Sequence, residues 1–151
     1  MNNLWNETQA ASCTDDLALR VYSSRLLGSN PSLVLHGGGN TSVKTSHTNI
    51  FGEAEDVLYV KASGWDLGTI EHAGFAALRM AHLLRLARLE TLSDTAMVRE
   101  LRLGLTDPAS PDPSVQLDPY LPGSVSEAED LGLGPSSCAT LCHNLSSDSE
   151  H

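Results

Sequence analysis

A chain of 151 residues, 40% hydrophobic and 19% charged, is long enough for one domain with a real core and too short for two comfortable ones. Its formal net charge of −10 argues against a nucleic-acid partner, and no apolar run approaches the length of a membrane span. Three cysteines, Cys13, Cys138 and Cys142, are an odd and sparse set that points to reduced thiols in a cytoplasm rather than a disulfide scaffold. The opening Met1 to Asn6 has neither a basic nor an apolar region of the kind a secretion signal needs. The charge is unevenly spread. Nine basic and eleven acidic residues lie up to Thr106, a net −2, whereas eight acids and no Lys or Arg follow. Two different kinds of sequence are joined there.

In chain order, Asp15 and Asp16 suit a helix N-terminus, and Leu19, Tyr22 and Leu26 predict a helix to about Leu27. Gly28 is expected to close it and Asn30-Pro31 to forbid its continuation. Val34 and its neighbours read as a buried strand running into Gly37-Gly38-Gly39, with a second strand from Thr41 to Thr45 and a loop from Asn49 to Asp56. Val57-Leu58-Tyr59-Val60 is the clearest strand, and it runs into a second small-residue turn, Lys61-Ala62-Ser63-Gly64-Trp65. Thr69 is expected to cap the next helix, with Glu71 and His72 in its first turn and a largely buried apolar stretch over Phe75 to Leu89, and His82 reads as a packed or surface histidine rather than a ligand. A third helix over Asp94 to Leu103 starts at a Ser93/Asp94 cap and ends before the proline-rich loop Asp107 to Pro113. Patterning collapses from Gln116 onward, and the serine-rich, acidic stretch from Ser124 to His151 reads as disordered.

Chemistry concentrates in the two turns. Gly37 to Gly39 can take backbone angles closed to other residues and carry no side chains to hold a ligand away. Successive N–H groups in such a turn can converge on an anion, with Asn40, Thr41 and Ser42 adding donors and Lys44 a nearby positive charge. The alternative is a glycine-rich hairpin without a ligand. Two strands that each carry a polar, glycine-containing turn can place both turns at one edge of a sheet, and this favours a two-sided anion cradle.

Other motifs fail. His36-Gly37-Gly38-Gly39 matches the oxyanion-hole element of HGGG-type hydrolases, but the required G-x-S-x-G elbow is absent from the sequence. No glycine directly precedes a lysine, so there is no Walker loop. The dinucleotide fingerprint has Ser42 in place of its third glycine. Cys138-x₃-Cys142-His143 is a weak metal pattern in a serine-rich tail.

Leu33 to Lys44, together with Asp56 to Leu67, strongly resembles the class II aldolase/adducin family. Within it the chain is most similar to the aldolase half of the bifunctional rhamnulose-1-phosphate aldolase/alcohol dehydrogenases. The likeness continues through Leu92-Ser93-Asp94 and Met97-Val98-Arg99-Glu100 to Pro113-Ser114-Val115. It implies an α/β fold of three layers, α/β/α, with a central, mainly antiparallel sheet, and an N-terminal portion of such a domain over residues 1–115. Residues 116–151 would be a divergent acidic tail. It also implies a phosphorylated sugar as partner, held by Gly39, Asn40, Thr41, Ser63, Gly64 and Ser114, and a homo-oligomer if the fold is complete.

The same family uses a divalent metal, usually zinc, on three histidines, two of them in an H-x-H motif, with a glutamate moving the proton. Here no H-x-H occurs, and the expected S-V-E reads Ser114-Val115-Gln116. A glutamine amide cannot accept a proton as a carboxylate does. No metal is therefore expected on this chain and no catalytic residue is assigned. The expectation is an incompetent fragment, as a truncation or frameshift would produce, that retains part of the phosphate site. A non-catalytic, adducin-like binding module is the alternative, and an HGGG-type hydrolase a weaker one.

Overall fold

A computed structural model describes residues 4–35 and 38–114. Seven elements follow one another: α1 (Glu7–Ala11), α2 (Asp16–Gly28), β1 (Ser42–Thr48), β2 (Ala54–Lys61), β3 (Phe75–Arg79), α3 (Met80–Leu86) and α4 (Asp94–Leu103). A 3-10 turn at His72–Gly74 leads into β3. The described strands form an antiparallel sheet in the order β1-β2-β3.

Alternation along the strands separates the two faces of this sheet. Leu58 and Val60 of β2 and Ala76 and Leu78 of β3 pack with Met80 and Leu86 of α3 and Met97 and Leu101 of α4. Tyr59 and Phe75 face the other way, into a cluster with Leu17 and Val21 of α2, Leu67 and Ile70. Helices thus cover both faces, and the fold is the expected three-layer α/β/α arrangement. Leu105 extends the sheet beyond β3 by bridging Leu78, with the Arg79 N–H donating to the Gly104 carbonyl and the Thr106 N–H to that of Ala77.

Local chemistry sets two helix starts as the sequence predicts. The Asp15 side chain accepts from the Ala18 N–H at 2.7 Å, and the Ser93 hydroxyl accepts from the Ala96 N–H. A short additional helix, α1, is capped by Asn6 and pinned to α2. The Asn6 N–H donates to the Tyr22 hydroxyl, and the Trp5 and Tyr22 rings lie 5.3 Å apart.

Five expectations are corrected. Gly28 is the last residue of α2 and does not take a positive φ; a Cβ there would lie 2.1 Å from the Gly68 nitrogen, so close backbone approach explains the glycine. Residues 31–35 form no strand. The Asn30 carbonyl accepts from the Leu33 and Val34 N–H groups and its side chain from Ser32, so turn chemistry after Pro31 overrides the apolar run. The loop at Asn49 is shorter than expected, because Glu55 already sits in β2 between His47 of β1 and Arg79 of β3. The long helix from Phe75 is replaced by β3 followed by α3. Phe75 to Leu78 is buried on both faces, and such a run carries no period to distinguish strand from helix. Thr69 caps nothing; its N–H donates to the Asp66 carbonyl within the turn preceding the 3-10 segment.

The readings placed on His36-Gly37, on Gln116, on Cys138-x₃-Cys142-His143 and on the acidic tail lie outside the described residues.

Candidate functional site

Antiparallel pairing decides where the two turns meet. Ser42, which opens β1, is the partner of Val60 near the end of β2, so residues just before β1 and just after β2 lie at the same end of the sheet. The Lys61 N–H donates to the Thr41 carbonyl at 3.0 Å, carrying the ladder one step past β1. From there a third stretch takes over the same side of β2. The Ser114 N–H donates to the Lys61 carbonyl at 3.1 Å, the Ser63 N–H donates to the Asp112 carbonyl at 3.0 Å, and Pro113 bridges Ala62. The backbone thereby places Thr41, Ser63 and Ser114 at one end of the sheet, with Asn40 and Gly39 just before Thr41 and Gly64 just after Ser63.

Both turns use glycine conformation. Gly39 has φ 76° and Gly64 φ 83°. Gly38, by contrast, has no positive φ, so among the described glycines of the first turn it is Gly39 that demands the absence of a Cβ. A Cβ at Gly39 would also lie 2.6 Å from Leu67 Cδ1 and 3.1 Å from Val34 Cγ1. Gly39 therefore packs on the core while its backbone turns outward. Gly64 has nothing within 4 Å of a Cβ position and faces open space.

Three side chains stand out. The Oδ1 atom of Asn40 is buried without a hydrogen-bond partner. A buried carboxamide oxygen in that state carries an uncompensated desolvation cost, which a donor on a ligand would relieve. The opposite amide rotamer would present the NH₂ group at the same place, ready to donate to an anion. Ser114 is buried on its backbone bond to Lys61. The Thr41 hydroxyl turns into α2 and lies 2.8 Å from Ser24 Oγ, which itself donates to the Arg20 carbonyl. Thr41 therefore serves this end of the sheet through its main chain.

Lys61 was not singled out from the sequence. It is only 4% exposed, and its Nζ lies 3.4 Å from the Ala62 carbonyl oxygen. Burial pushes its pKa below the usual lysine value, with the charge of Asp66 acting in the opposite direction. A largely desolvated ammonium, with Asp66 as an anionic neighbour, thus sits at the junction of the three stretches. The available signal was a lysine directly following the apolar run Val57 to Val60, although its burial depends on elements distant in sequence. Lys44 lies two register positions beyond Ser42 along β1, opposite Leu58, and borders a separate cavity with Asp56, Met80 and Leu84.

The metal implied by the resemblance finds no fitting ligand set among the described residues. Among the described residues no group of three or more His, Cys, Asp or Glu side chains is arranged to hold an ion. His47 lies beside Glu55 on the sheet, and His82 lies 2.9 Å from the Glu100 carbonyl between α3 and α4. No chemical step is derived through a metal.

No family model matches the chain. A curated protein, the uncharacterized oxidoreductase YuxG of Bacillus subtilis (strain 168), is 32% identical over 124 residues, 81% of this chain and 18% of its own length. The solved structure of the N-terminal class II aldolase domain of a conserved protein from Thermoplasma acidophilum is 45% identical, with a TM-score of 0.70. That likeness covers 78% of this chain and 53% of the solved one. The chain thus spans about half of that structure and under a fifth of the curated relative. No described helix is long and apolar enough to cross a membrane. At 45% identity and a TM-score of 0.70, this chain is a class II aldolase-like domain.

Proposed function

We propose that this domain binds a phosphate monoester of a small sugar or triose at the end of the sheet formed by Gly39–Thr41, Lys61–Gly64 and Ser114. The observation that carries the reading is the unpartnered, buried Asn40 carboxamide oxygen beside positive-φ Gly39, at the point where the three stretches converge. Main-chain N–H groups in such a turn and the desolvated Lys61 suit a dianion.

Rhamnulose 1-phosphate is the sugar phosphate the motifs favour, through their resemblance to the aldolase half of bifunctional aldolase/dehydrogenases. The oxidoreductase relative is matched over 18% of its own length. Turnover is a different matter. Gln116 stands where a glutamate is expected and the sequence holds no H-x-H pair, so the chain binds without cleaving. This joins the family reading to the binding-module alternative.

The test is an NMR titration of the 151-residue chain with sn-glycerol 3-phosphate, using glycerol as the neutral control. Amide shifts confined to residues 39–41, 61–64 and 114, absent with glycerol, are the expected result. Binding near the millimolar scale, worth about −4 kcal/mol, is what a few hydrogen bonds to a dianion supply after solvation. Equal responses to both ligands, or shifts elsewhere, would overturn the proposal. Aldol cleavage of rhamnulose 1-phosphate by the purified chain would overturn the statement that it does not turn over.

A further inference from the structure

The stretch that brings Ser114 to the site is thinly held. Residues 107–114 form a proline-rich loop, and Pro113 has no N–H with which to extend the pairing to Ala62. Two backbone bonds flank it, from the Ser63 N–H to the Asp112 carbonyl and from the Ser114 N–H to the Lys61 carbonyl. The loop's firmest side-chain tie is to α4. Arg102 Nε donates to Asp112 Oδ1 at 2.8 Å and its NH2 group to Oδ2 at 2.5 Å, a two-pronged contact that fixes the carboxylate in plane and in direction.

Both partners are exposed, with side chains 61% and 53% accessible. Exposed ion pairs typically add no more than about 1 kcal/mol, with two-pronged arginine–carboxylate pairs the most effective, so global stability is an incomplete account of this contact. Its location supplies a better one. Asp112 presents its carboxylate to Arg102 and its carbonyl to the Ser63 N–H, so one residue joins the end of α4 to the second glycine turn. Ser114 lies two residues further along.

We propose that Arg102 is a positioning residue for the phosphate site, holding the Ser63 turn and Ser114 in register through Asp112. The ligand in this inference rests on the reading given under Proposed function; the clamp itself rests on the hydrogen bonds alone. Arg102 touches no substrate in this account and acts only through the loop.

The experiment pairs amide hydrogen exchange with the glycerol 3-phosphate titration on the whole chain, for wild type, Arg102→Ala and Arg102→Lys. Removing the clamp in Arg102→Ala should speed exchange at the Ser63 and Ser114 amides by about tenfold through local opening. The amides of Leu58 and Val60 and the thermal midpoint should stay at wild-type values. Phosphate affinity should fall about threefold to tenfold, since an unheld loop must be ordered on binding. Arg102→Lys keeps the charge but not the planar fork, so it should recover only part of both effects, and it preserves the comparison should the alanine variant fold poorly. Unchanged protection at Ser63 and Ser114 would overturn the clamp, whatever the ligand does. Lost protection at those two amides in a chain that never binds glycerol 3-phosphate would retain the clamp and overturn the ligand.

Discussion

β1 has an Asn and a positive-φ Gly at each end, and the two pairs are built to opposite purposes. At the hairpin end, Asn49 satisfies itself. Its Oδ1 accepts from the Phe51 and Glu53 N–H groups, its Nδ2 donates to Glu53 Oε2, and Gly52, φ 81°, faces open space. At the other end, Gly39 presses on Leu67 and Val34, and the Asn40 Oδ1 is buried with no partner. One pair closes a turn and leaves nothing over. The other accepts a cost and leaves a polar group over, and it does so where two further polar stretches converge. A turn explains the first end; the second is the end at which we propose a site.

Breaking the glycines should separate the ends most strongly. Gly39→Val combines a positive φ that β-branched residues resist with overlap on Leu67 and Val34. It should cost about 2–4 kcal/mol in denaturant unfolding, in the range of strained or overpacked core sites. Gly52→Ala carries only the backbone penalty, about 1 kcal/mol, and should leave phosphate binding unchanged. Equal costs at the two positions would mean that Gly39 has no special packing role.

Lys61 sharpens the comparison through pH, because the hairpin end holds no buried lysine among the described residues. Burial lowers its folded pKa, so the unfolded chain holds that proton more tightly. The resulting penalty is full below the folded pKa and disappears as pH rises from that value toward 10.5. Stability of the unliganded chain should therefore gain a rising component in that window, and Lys61→Met should remove it. Phosphate binding should run the other way, weakening over the same window as the ammonium loses its charge. A Lys61→Met variant with wild-type affinity at neutral pH would take Lys61 out of the site.

What the sequence made legible follows from how local each cause is. The Asp15 and Ser93 caps, the Val57-Leu58-Tyr59-Val60 strand and the 94–103 helix rest on neighbouring residues, and all are present. Phe75 to Leu78 was misread because a strand buried on both faces has lost the alternation that marks a strand. Leu33 to Leu35 looked like a core strand, yet Leu33 is 48% and Leu35 81% exposed after the Asn30-Pro31 turn. The meeting of the two glycine turns was readable from paired strands and small residues, although the strand expected to enter the first turn is absent. Ser114 had no local signal and entered only through family likeness. The burial of Lys61 and the Arg102–Asp112 contact depend on tertiary neighbours, which no window of sequence displays.

The central claim is that the Asn40 end is a site and the Asn49 end is only a turn. It is tested most directly by measuring glycerol 3-phosphate affinity and unfolding free energy side by side for Asn40→Ala and Asn49→Ala. Asn40→Ala should weaken binding about tenfold, or 1.4 kcal/mol, while stability stays level or rises by up to about 1 kcal/mol as the unpaired oxygen is removed. Asn49→Ala should lose about 1 kcal/mol of stability with its turn hydrogen bonds and bind as wild type does. If Asn40→Ala binds phosphate like wild type, or loses as much stability as Asn49→Ala, the two ends are the same kind of turn and the account is wrong.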